Sequence, residues 1–149
     1  MTITYVSIEN ASPWVRRFAS QIPKIGTVLD LACGGGRHSL LLAEMGYPVL
    51  AVDQSITEIE KTANPLIRSK VLNLEEEVWP LADSKFSGIV VTNYLYRPHL
   101  DRLPEMLDKN GVLIYETFAQ GNEQFGKPSN PNFLLKTGEL LELARRHAL

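Results

Sequence analysis

Four largely apolar runs at 27–31, 48–52, 87–92 and 112–117 and a short segment at 70–72 punctuate the chain. They lack the strict alternation of a half-solvated sheet and read as strands buried on both faces. Helical spacing fills the gaps between them. Ser12-Pro13 caps a helix with Trp14, Val15, Phe18 and Ile22 on its apolar face, ended by Pro23 and Gly26. Residues 37–45 form a second helix, closed by Gly46. Ser55-Ile56-Thr57-Glu58 is a capping box opening a third, which fades at Asn64-Pro65. A fourth spans 100–107 and stops at Asn110-Gly111. Thr137 caps a last amphipathic helix, with Leu140, Leu141, Leu143 and Ala144 turned to the core. Residues 1–11 are a weakly patterned lead-in, and 73–86 are acidic and irregular.

Strands alternating with helices predict parallel βαβ units. The expected fold is α/β: a Rossmann-like, doubly wound, mostly parallel sheet of about five strands in one domain, 1–149, with an N-terminal helix segment at 1–24. Right-handed crossovers put the ligand crevice at the carboxyl ends of the strands. Asp30, Asp53, Asn73, Asn93 and Thr117 fall at those ends. Residues 119–136 hold Gly121, Gly126, Pro128, Pro131 and three asparagines. A loop this long in a compact domain is a candidate lid.

The chemistry concentrates in Val28-Leu29-Asp30-Leu31-Ala32-Cys33-Gly34-Gly35-Gly36-Arg37-His38-Ser39. An apolar strand runs through an acid into three glycines and then a helix. Glycines let backbone approach a ligand, and a helix start offers unpaired N–H groups. The acid discriminates between ligands. A carboxylate at the strand tip repels a pyrophosphate and attracts an ammonium group. A dinucleotide site also wants a third glycine where Ser39 stands, and Ser39 is expected to loosen that helix–strand contact. Asp53 suits the ribose of either ligand.

Net charge of −2 and 21% charged residues give no basic excess for a nucleic-acid backbone. Cys33 is the one cysteine, so no internal disulfide can form, which fits a reducing cytoplasm. No apolar run reaches the length of a membrane span, and no signal-like segment opens the chain. Cys33, His38, His99 and His147 lack metal-ligand spacing, so no metal is expected.

Asp30-Leu31-Ala32-Cys33-Gly34-Gly35-Gly36-Arg37-His38-Ser39, followed by Gly46, Val49 and Val52-Asp53-Gln54-Ser55, resembles the class I S-adenosylmethionine-dependent methyltransferases. The nearest branch is that of the small single-domain tellurite-resistance enzymes. The resemblance covers about 25–118 and implies S-adenosyl-L-methionine as cofactor. It places cofactor contacts at Asp30, Ala32, Gly34, Gly36, Arg37, Asp53, Gln54, Asn73, Leu74, Asn93 and Tyr94. Asp30 would face the methionine ammonium through water, and Arg37 its carboxylate. Gly34 and Gly36 would leave room for methionine and ribose. Asp53 would accept both ribose hydroxyls. Asn73 stands where the family usually has Asp for the adenine amino group, with Leu74 lining the ring. Asn93 and Tyr94 would meet the methionine.

Methyl transfer from a sulfonium is an in-line displacement governed by alignment. Candidates for a base are Tyr94, Tyr96, His99 and Glu116 near the ends of the fourth and fifth strands. His38 reads as helix surface or a group behind the site. The chain after the fourth strand, Thr92-Asn93-Tyr94-Leu95-Tyr96-Arg97-Pro98, differs from the Asn-Pro-Pro-Tyr motif of amide-methylating relatives. With the acidic balance this favours a small-molecule acceptor, a thiol or a metalloid, over nucleic acid. The family's C-terminal antiparallel hairpin has no counterpart in these 149 residues. Two expectations follow: self-association through the exposed sheet edge at 112–117, or a non-catalytic cofactor-binding module. An NAD-binding oxidoreductase is the remaining alternative.

Overall fold

In the computed structural model, which describes residues 8–149, all five strands form one sheet. They are β1 (Val28–Leu31), β2 (Val49–Asp53), β3 (Ile67–Val71), β4 (Phe86–Thr92) and β5 (Leu107–Glu116). Every pairing is parallel, in the order β3-β2-β1-β4-β5. The winding reverses between β1 and β4, which opens a crevice at their carboxyl ends. The first seven residues of the lead-in lie outside the described residues.

Side chains alternate across the sheet and build two cores. On one face Leu29, Leu31, Ile89 and Val91 pack with Trp79, Leu103, Met106 and Leu143. On the other, Val28, Val49, Val90 and Ile114 pack with Val15, Ile22, Leu42 and Tyr47. Helices α1 (Pro13–Phe18) and α2 (Arg37–Glu44) therefore cover one face, while α4 (Arg102–Glu105) and α5 (Glu139–Arg146) cover the other. Helix α3 (Thr57–Glu60) adds Ile56 and Ile59 to a small cluster with Cys33 and Ala51. The Ser12 side chain accepts from the amides of Trp14 and Val15, as the cap reading required.

Several local expectations are corrected. The box at 55–58 does not cap: Ile56 holds the N-cap position and Ser55 Oγ sits 3.4 Å from Thr57 Oγ1. The carboxylate of Asp53 takes the Ser55 amide (3.4 Å), which bends Ser55 toward the strand end. β3 begins at Ile67, because its polar Arg68 and Lys70 conceal an edge strand. The helix read over 100–107 is one turn of 3-10 helix at Arg97–His99 and one turn of α4. Leu107 instead pairs with Phe86 in β5, and the ladder slips before Val112 meets Gly88. Asn110 (φ 63°) and Gly111 belong to that irregularity rather than to a helix stop. α5 is capped by Gly138 in a left-handed conformation, not by Thr137, and Leu141 is 55% exposed. The 119–136 loop is not structureless. Two 3-10 turns and a parallel bridge between Ala119 and Leu135 fold it back on itself.

Candidate active site

The glycine loop is held shut by its own neighbours. Gly34 N–H donates to Asp53 Oδ2 at 2.8 Å, tying the end of β1 to the end of β2. Gly34 has φ 55°, and a Cβ there would meet nothing within 4 Å, so space lies over it. Gly36 differs. A Cβ there would fall 2.0 Å from Ile59 Cδ1, so this glycine makes room for α3 rather than for a ligand. Ala32 (φ 54°) and Asn93 (φ 55°) are left-handed without being glycine. They follow β1 and β4, on either side of the switch point. Strain of this kind collects at functional sites.

A cleft of about 260 Å³ opens here. Ala32, Asp53, Gln54 and Asn73 line it, joined by Leu74, Asn93 and Tyr94. Seven of the eleven predicted cofactor residues thus meet on one surface, with Leu72 and Glu75 added. The Asn73 carboxamide oxygen accepts the Glu75 amide at 3.0 Å, which orients the side chain at the cleft wall. The lining carries two carboxylates, Asp53 and Glu75, and neither Lys nor Arg. A second cleft of about 330 Å³ shares Glu75, Asn93 and Tyr94 and runs under the 119–136 loop to Phe118, Pro128 and Phe133.

Four predicted cofactor residues do not line the cleft. Gly34 and Gly36 shape the loop, as above. Asp30 is 2% exposed and is not at the strand tip; its carboxylate accepts the Ser39 hydroxyl at 2.6 Å. Burial pushes this carboxyl up to about 6, against hydrogen bonds from Ser39 that pull it down. Ser39 is fully buried and pins α2 to β1, which corrects the expectation of a loosened contact. The Arg37 guanidinium donates to the Asn10 carbonyl at 2.8 Å, where it holds the N-terminal segment.

His38 is buried, not on the helix surface. Its Nε2 accepts the Ser12 amide at 2.9 Å and its Nδ1 sits 3.4 Å from Thr92 Oγ1. Burial, with Arg37 nearby, lowers it to about 4. The Ser12 hydroxyl donates to the Glu116 carboxylate. Glu116 and His38 thus form a seam joining α1, α2, β4 and β5, and neither faces a cleft. Cys33 is buried and pushed up to about 12, far from a reactive thiolate.

Of the catalytic candidates, Tyr94 alone lines both clefts. Burial first, then the nearby Glu75, raises its phenol well above the ordinary range, so it stays protonated. The Tyr115 hydroxyl donates to the Tyr94 carbonyl and fixes that backbone (2.5 Å). His99 Nε2 lies 2.5 Å from the Glu76 carbonyl, and its ring packs on Trp79 and Tyr96. The Tyr96 hydroxyl reaches the Glu75 carbonyl at 3.4 Å. Both side chains hold the acidic segment, and neither lines these two clefts. Among the described residues no group of three or more His, Cys, Asp or Glu is arranged for a metal. None of their helices is long and apolar enough to cross a membrane.

The residue the sequence reading missed is Arg97. Its Nε and Nη2 pair with both Glu139 oxygens, at 2.7 and 2.9 Å. Its remaining donors reach the carbonyls of Pro131, Asn132 and Leu134, at 3.3, 3.2 and 2.7 Å. One fork therefore fixes α5 and the second half of the loop. Pairing with Glu139 raises Arg97 and lowers Glu139 from their ordinary values. No local pattern signals it, because the partners lie 34 to 42 residues away.

The sequence profile described as a methyltransferase domain matches residues 28–111. The chain belongs to the class I S-adenosylmethionine-dependent methyltransferase family. A Bacillus subtilis (strain 168) protein named as a candidate methyltransferase, YqeM, is 30% identical over 108 residues, covering 70% of this chain and 40% of that protein. The fold is similar to that of TehB from Haemophilus influenzae, with TM-score 0.68 and 22% identity over 89% of this chain and 49% of TehB. It is also similar to coclaurine N-methyltransferase bound to N-methylheliamine and SAH, with TM-score 0.66 and 19% identity over 87% of this chain and 45% of that enzyme. The chain thus spans about half the length of these relatives or less.

Proposed function

We propose that this methyltransferase-family chain binds S-adenosylmethionine in the cleft at the ends of β1, β2 and β4, and directs its methyl group to a small-molecule acceptor under the 119–136 loop. The observation that carries the reading is the charge of the lining: two carboxylates and no basic side chain. Such a wall suits a ligand bearing a sulfonium and an ammonium and repels the pyrophosphate of a dinucleotide. The same balance argues against nucleic acid as acceptor. SAH in the structure of coclaurine N-methyltransferase is a further support.

The residues fit such a cofactor. Asp53 offers two oxygens to a ribose diol once it exchanges its bond with Gly34 N–H. Asn73 offers its amide to adenine and Leu74 packs against the ring. Asn93 and Tyr94 border the methionine end. Asp30 acts from below by fixing the first turn of α2 through Ser39. The cofactor supplies an electrophilic methyl carbon. The protein supplies alignment and dryness for in-line attack, so Tyr94, His99 and Glu116 serve as wall and scaffold rather than as a base. Glu75 disfavours a metalloid oxyanion or a thiolate and leaves neutral and cationic acceptors. A single buried cysteine suits work in the cytoplasm. The outer edge of β5, unpaired among the described residues, is the surface through which copies associate; a monomer by light scattering at high concentration would remove that part.

The test is transfer of a labelled methyl group from S-adenosylmethionine across a panel of thiols, amines and alcohols. Label in an extractable product supports the reading. Cofactor binding with no transfer to any acceptor would replace it with a binding module.

A further inference from the structure

We infer that the cleft under the 119–136 loop takes a flat, aromatic amine as its acceptor, with the ammonium form held by Glu75. The inference rests on the methyl-transfer reading above and deepens it. The cleft adjoins the cofactor cleft, sharing Glu75, Asn93 and Tyr94, so a molecule in one can touch a molecule in the other. Its volume of about 330 Å³ suits one ring system with a short side chain.

The lining selects the chemistry. Three aromatic residues, Tyr94, Phe118 and Phe133, line it together with Pro128. Aromatic faces attract cations as well as rings. Glu75 is the one charged side chain in the lining. Its backbone is fixed through Asn73 and Tyr96, whereas its carboxylate makes no hydrogen bond or ion pair among the described residues. An unengaged carboxylate beside three rings matches a substituted ammonium. It repels carboxylates, thiolates and oxyanions, and an alcohol offers it a hydrogen bond without the charge. Arg97 keeps the aromatic wall in place, since its carbonyl partners at Pro131, Asn132 and Leu134 flank Phe133.

The step balances without a further reactant. A secondary amine enters as its ammonium and gives one proton to water beside Glu75. The freed lone pair forms the N–CH₃ bond as the sulfonium C–S bond breaks, and that electron pair stays on sulfur as a thioether. The product is a tertiary ammonium, again matched to Glu75.

The experiment is calorimetric titration of the SAH-saturated full chain with N-methylbenzylamine, benzyl alcohol, benzyl mercaptan and phenylacetate. The amine should bind about tenfold or more tighter than the alcohol or thiol, and phenylacetate should give no heat. Glu75→Gln should bring amine and alcohol to within about twofold of each other. Phe133→Ala, which leaves the cofactor cleft untouched, should weaken the amine, alcohol and thiol alike while the SAH affinity holds. Equal binding of amine and alcohol to the unaltered chain would overturn the inference, as would an amine preference that survives Glu75→Gln. Failure to bind SAH at all would instead sink the methyl-transfer reading on which it rests.

Discussion

On the β1–α2–β2 side of the clefts, several polar contacts share the work: Asp30 meets Ser39, Gly34 meets Asp53, and His38 meets Ser12 and Thr92. On the 119–139 side, order depends on Arg97, whose partners lie 34 to 42 residues away. The first side is built by several separate contacts. The second adds one long-range fork to its own 3-10 turns and the Ala119–Leu135 bridge. The cofactor half should therefore tolerate loss of any one polar contact in folding yet lose function sharply, whereas the loop half should fail as a unit.

The largest expected effect breaks the first side sterically. Gly36→Ala places a methyl against Ile59 and forces alanine to φ 93°, so it should cost roughly 2–4 kcal/mol in urea denaturation. Adding Ile59→Ala should recover the steric part of that loss. Next is Asp53→Ala. It removes two hydrogen bonds to a charged acceptor, and SAH affinity should fall by about 100-fold with a much smaller change in stability. Arg97→Ala, on the second side, leaves Glu139 half-buried without its partner. It should lower stability by roughly 2–3 kcal/mol, less than for a fully buried pair because both side chains keep some solvent. Limited proteolysis should then cut within 119–136 first.

The smallest effect is a pH profile. The Asp30 carboxyl is raised from 3.8 to about 6, so the folded state keeps a proton that the unfolded chain releases. Its contribution to stability therefore falls as pH rises through that window and stays low above it. His38, lowered from 6.5 to about 4, acts in the opposite sense, and stability rises with pH between those values. The two slopes oppose each other between about pH 4 and 6. Asp30→Asn keeps an acceptor for Ser39 and should be more stable than the unaltered chain at pH 7 by on the order of 2 kcal/mol, an advantage that vanishes near pH 4. His38→Gln should remove the rising limb. Urea midpoints across this range check both signs.

The same contrast explains what could be read from the chain. Four of the five strands and the glycine elbow were legible, because apolar runs and a glycine cluster are local signals; β3 was read only in part, at 70–72 instead of Ile67–Val71, because Arg68 and Lys70 interrupt its pattern. So were Asp53, Asn73 and Asn93, which the parallel topology brings to one crevice. Asp30 was legible as special but not in role, since nothing in its own neighbourhood shows that Ser39 would turn it inward. Gly36 was credited to the ligand although Ile59 demands it. The helix at 100–107 dissolved because Leu107 gains more from pairing in β5 than from another helical turn. Arg97 and Glu139 were invisible, as two ordinary charged residues far apart must be.

The central claim is that the acid-lined cleft takes an adenosyl amino acid rather than a dinucleotide. Calorimetric titration of the unaltered chain with SAH and with NAD tests it most directly. Saturable one-to-one heat with SAH and none with NAD is the predicted result. Heat with NAD and none with SAH would contradict it.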